Sequence, residues 1–119
     1  MKSIYFIPFT IVFISIFLLS TVFASPVQVF DVGYADKINH ALAYFTLSTS
    51  LMLAFQKLKG LTLYKMYLIT FFCGLYGLVL EMVQFVFFDN RAFEWLDAFA
   101  NVCGASLAHI IVRVLTNVK

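Results

Sequence analysis

Side chains able to move protons, bind anions or ligate metals fall in three short stretches of an otherwise apolar chain. Asp36, His40 and Tyr44 recur every four residues, which places them on one helical face, with Lys37 beside Asp36. Glu81 and Gln84 lie three apart inside a long apolar run. Asp97 and Asn101 are again four apart, with Arg91 and Glu94 just before them. A carboxylate such as Glu81 is costly to insert in lipid, so by default it marks a functional site facing the protein interior with a partner. Three chemistries suit these residue types. The Lys37 ammonium and Arg91 guanidinium fit phosphate. Glu81 or His40 fits general acid–base work, with Asp97 in support. His40, Glu81 and Asp97 are zinc ligands by type, but no HExxH or paired-histidine spacing backs them, so spacing predicts no metal and no cofactor.

The elements that position these residues are membrane helices. Hydrophobic residues make up 63% of the 119 and charged residues only 12%, with a mean hydropathy of +0.97. Soluble domains run near half apolar and a quarter charged. A chain this short has no aqueous interior large enough to absorb the excess. The net charge of +2, without a basic run, argues against a nucleic-acid partner. Apolar stretches at about 4–24, 38–55, 63–88 and 95–115 predict one all-α membrane domain over residues 1–119, a bundle of about four transmembrane helices. Lys57, Lys59 and Lys65 flank the middle link, Lys2 precedes the first helix, and Arg113 and Lys119 close the last. Positive charge stays cytoplasmic, so the N- and C-termini are expected inside. The links at 25–37 and 89–95 then face outward, and all three polar stretches come to the outer leaflet.

The first stretch has two readings. Lys2, an apolar run and Val22, Phe23 and Ala24 before Ser25 resemble a secretory signal peptide, but the run exceeds the usual 7–15 apolar residues. A retained helix is the expectation. Cys73 and Cys103 differ in depth by roughly 10 Å on helical rise, too far for a disulfide, and are expected to be small apolar fillers. Gly74, Gly77, Gly104 and Ala105 predict close helix contacts. Tyr34 and Trp95 read as interfacial aromatics, and His109 as packing. Each polar group also has a plainer role: Glu81 as a tie to His40, Lys37 or Arg91, Lys37 and Arg91 as snorkelling cations, and Asp97 and Asn101 as a first-turn acid and an interhelical hydrogen bond.

Taken in order, Asp36, Lys37, His40, Tyr44, Glu81, Gln84, Arg91, Asp97, Asn101 and Gly104 resemble the VanZ-like family of bacterial integral membrane proteins. The family is named for a protein associated with resistance to the glycopeptide teicoplanin. The resemblance covers about residues 30–110. Two features depart from it: Phe88, Asp89 and Asn90 stand where a Pro-Gly-like turn is expected, and Ala108 where a second glycine often follows Gly104. The resemblance implies a multi-pass protein of the bacterial plasma membrane and cell envelope, without supplying a reaction. The leading expectation is an outward-facing pocket for membrane lipids, above all an anionic envelope lipid or lipid-linked precursor. Glu81, His40 and Asp97 are the candidate catalytic groups, and Asp36, Lys37, Tyr44, Gln84, Arg91 and Asn101 the candidate ligand-binding ones. The alternatives are an intramembrane enzyme using Glu81 and His40 as acid and base on a lipid-type substrate, and a structural or partner-binding bundle. Four helices are few for a transporter unless chains oligomerise.

Overall fold

The computed structural model describes the backbone of residues 2–21, 34–87 and 95–118, and the side chains of 3–19, 38–87 and 95–118. Every regular element among them is helical. A 3₁₀ turn, Lys2–Phe6, leads into α1 (Ile7–Thr21), followed by α2 (Tyr34–Lys57), α3 (Leu63–Phe87) and α4 (Trp95–Thr116). Three helical stretches, Ile38–Lys57, Leu63–Phe87 and Trp95–Thr116, are long and apolar enough to cross a membrane. The fifteen residues of α1 rise only about 22 Å, short of a hydrocarbon core of roughly 30 Å. Among the described residues, the four expected helices are three long ones and one shorter one. At the other boundary, α2 begins at Tyr34, before the apolar stretch at 38. Its first turn carries Asp36 and Lys37, so the polar interval is partly helix.

The link between α2 and α3 is closed by local hydrogen bonds. The Gly60 amide donates to the Phe55 carbonyl and the Lys59 amide to Gln56, both at 2.9 Å, with Lys59 at φ 58°. This is the 6→1 and 5→2 pairing of a Schellman ending, with lysine rather than glycine at the left-handed position. Thr62 then caps α3, its hydroxyl accepting from the Lys65 amide at 3.2 Å. The Lys65 ammonium returns to the Gly60 carbonyl at 2.7 Å.

Neighbour pairs give the helix directions. Thr70 meets His109 and Gly77 meets Asn101, so α3 and α4 run antiparallel. Phe6 packs edge-on against Phe55, bringing the start of α1 to the end of α2. The described start of the chain, the α2–α3 link and the end of α4 therefore share one end of the bundle. The starts of α2 and α4 and the end of α3 share the other. The α2–α4 seam is the most extensive contact, with α3 against α4 next. The core is formed by Tyr44, Leu47, Met52, Met66, Ile69, Cys73, Leu80, Ala105 and Val112, with Ile16 of α1. The outer surface stays apolar: Phe71, Phe87, Leu96, Phe99, Val114 and Leu115 are all exposed. Such a surface suits lipid rather than water.

Helix α1 is docked by specific contacts. The Tyr76 hydroxyl donates to the Phe13 carbonyl at 3.0 Å, and the two rings stack at 4.3 Å between centroids. Tyr76→Phe keeps the rings but removes that bond, and should lower stability by about 1 kcal/mol. Thermal unfolding in detergent reads this directly; an unchanged midpoint would mean that α1 is not held on α3.

Candidate functional site

Three helices converge at the end of the bundle where α2 and α4 begin. His40 comes from α2, Glu81 from α3 and Asp97 from the first turn of α4. One potential ligand atom from each lies within 4.8 Å of the other two. His40 Nε2 is 3.8 Å from Asp97 Oδ2, beyond hydrogen-bond length. Glu81 and Asp97 are each only 5% exposed, whereas the His40 side chain is 25% exposed and forms the accessible edge. Asp97 lies in the first turn of α4, where the helix N-terminus favours its negative charge.

The expected neighbours are largely here. Gln84, one turn beyond Glu81, is buried. Tyr44, one turn from His40, is 3% exposed, and its ring packs against Tyr76. Asn101, one turn from Asp97, is 1% exposed, and its amide packs against the bare backbone of Gly77, one turn from Glu81. Its Oδ1 accepts no hydrogen bond from a described donor. Arg91 and the side chains of Asp36 and Lys37 lie outside the described residues. The backbones of Asp36 and Lys37 are in the first turn of α2, one turn before His40.

Glycine sets the approach of the helices. A Cβ on Gly104 would collide with the Ala41 carbonyl oxygen, so α4 and α2 touch backbone to backbone beside His40. Ala105 and Ala108 are also fully buried on α4, and alanine at 108 is small enough for close packing. Gly74 is looser, its nearest neighbour being a Val102 methyl at 3.3 Å from an added Cβ. Both cysteines are free; Cys73 is a buried filler as expected, but Cys103 is exposed on the outer face and fills nothing. Trp95 is exposed at the start of α4, as an interfacial aromatic would be. His109 is far from the site. The Thr70 hydroxyl gives its one proton to the Met66 carbonyl at 2.9 Å, so the 3.3 Å contact with His109 Nδ1 has the ring nitrogen donating.

Sequence reasoning passed over Ser48. It extends the spacing of 36, 40 and 44 by one turn and is completely buried. That periodicity was the signal for it. Among known proteins, no family model, no curated protein and no solved structure matches the chain.

Proposed function

We propose that this chain is a VanZ-like, multi-pass protein of the bacterial plasma membrane whose polar site binds the anionic headgroup of an envelope lipid or lipid-linked precursor, and through it influences glycopeptide susceptibility. The observation carrying this reading is the convergence of His40, Glu81 and Asp97 from three helices inside a bundle whose surface is apolar. Buried polar groups in such a setting are expensive, and a ligand reached from the bilayer gives them a use. His40, as the accessible edge, faces the arriving headgroup. Lys37 and Arg91 supply the cationic partners for phosphate, and Arg91 suits bidentate contact.

The orientation follows from charge. Lys57, Lys59 and Lys65 lie around the α2–α3 link, at the same end as Arg113 near the close of α4. With that end cytoplasmic, the polar cluster opens in the outer leaflet. The docking of Phe13 against Tyr76 supports retention of α1 as a fourth crossing, its 3₁₀ turn adding length.

A purely structural role has one observation in its favour: His40 Nε2 lies 3.8 Å from Asp97 Oδ2, a loose tie between α2 and α4. Mass spectrometry of lipids co-purifying with wild type and with Arg91→Ala tests the binding reading. An anionic lipid should be enriched on the wild-type protein and depleted severalfold on the variant. The same lipid profile on both would rule out a phosphate contact by Arg91 and sink this reading.

A further inference from the structure

We propose that His40, Glu81 and Asp97 form a site for one divalent transition-metal ion. The proposal goes beyond lipid binding and does not rest on it. Its basis is geometric: three side chains with metal-ligating atoms, each on a different helix, bring those atoms within 4.8 Å of one another. Metal–ligand distances of about 2.0–2.2 Å place neighbouring ligand atoms about 3.3 Å apart around a tetrahedral ion. The 3.8 Å between His40 Nε2 and Asp97 Oδ2 is close to that. Shifts of about 1 Å in the ligand atoms would bring the set to that spacing.

Charge favours the same occupant. Ligation requires ionised carboxylates and a neutral imidazole. In that state the two carboxylates of the donor set match the charge of a divalent cation in a largely buried site. The imidazole selects an ion of the Zn²⁺, Fe²⁺ or Ni²⁺ kind over Mg²⁺ or Ca²⁺, which prefer oxygen alone. A second observation comes from the layer one turn deeper. Asn101 Oδ1 is buried without a described donor, directly beyond Asp97 on the same helical face. A water molecule carried by the ion would give that acceptor its hydrogen bond. Three protein ligands leave a coordination position open, as in sites that bind a substrate oxygen rather than closed structural sites. His40, the exposed member, marks the side on which that position is reached.

The test uses full-length, delipidated protein in detergent, stripped with EDTA and titrated with Zn²⁺, with bound metal counted after gel filtration. Wild type should retain one equivalent per chain. The near-isosteric variants Asp97→Asn and His40→Gln should lose at least about tenfold in affinity while remaining monodisperse and helical. His109→Gln should still hold one equivalent. Should the site variants fail to fold, wild-type protein loaded with Co²⁺ decides. Visible ligand-field bands without thiolate charge transfer support the site, since its donors are nitrogen and oxygen. Folded wild type that takes up no metal, site variants that bind as well as wild type, loss of the ion in His109→Gln, or a Co²⁺ spectrum with sulfur bands would each overturn the proposal. Lipid is absent throughout, so failure here leaves the lipid reading standing, and the reverse also holds.

Discussion

Gly104→Val should come apart at the α2–α4 seam. An added Cβ at this position meets the Ala41 carbonyl oxygen, a backbone atom that cannot rotate out of the way. The two helices must separate along their most extensive contact. Overpacking of this kind costs about 1–3 kcal/mol when side chains can adjust, and more when backbone must move. Ala41 follows His40 directly, so the shift also carries the imidazole away from Asp97. The expected result is a large fall in thermal midpoint in detergent and low abundance in cells. Gly74→Ala is the comparison: its added Cβ meets only a Val102 methyl, and it should stay near wild type. A Gly104→Val protein as stable as Gly74→Ala would mean that α2 and α4 do not touch as described.

Glu81→Gln should have the largest effect on activity. It preserves shape and some hydrogen bonding while removing the charge. If the cluster binds a ligand, the protein should still fold with a midpoint near wild type, yet lose retained lipid and any effect on glycopeptide susceptibility. If the cluster only ties helices together, the charges once balanced by Glu81 are left uncompensated in the interior, at roughly 3–5 kcal/mol, and the protein should be degraded. Abundance and unfolding temperature, taken beside lipid content, separate the two. We expect a stable protein with an empty site. A Glu81→Gln chain that is both stable and fully active would defeat both accounts.

Much of the architecture is written in local sequence. Transmembrane length and the period of 3.6 are properties of single stretches, so α3 and α4 begin within a residue or so of their apolar boundaries. The boundary at α2 was hidden because Asp36 and Lys37 break the apolar run without breaking the helix; hydropathy senses lipid, whereas helix formation depends on backbone hydrogen bonds. Cys103 shows the same gap. Its depth is set by position along α4, but whether it faces the core or lipid depends on which flank of α4 the neighbouring helices cover.

The site divides along the same line. The residue types and four-residue spacings of His40 with Tyr44 and of Asp97 with Asn101 place each pair on one face of its own helix, and helical directions place all of them at one end of the bundle. Only the tertiary structure brings His40, Glu81 and Asp97 within a single ion's reach. Metal-ligand motifs such as HExxH are legible because both ligands lie on one helix, at fixed spacing. Here each ligand comes from a separate helix, and their separation is fixed by Gly104 resting on the Ala41 backbone and Gly77 on the Asn101 amide. Sequence therefore decides that this chain has helices fit for a membrane and which polar groups they carry. The helix crossings decide that three of those groups meet, because a distance between helices is a property of packing and has no local signature.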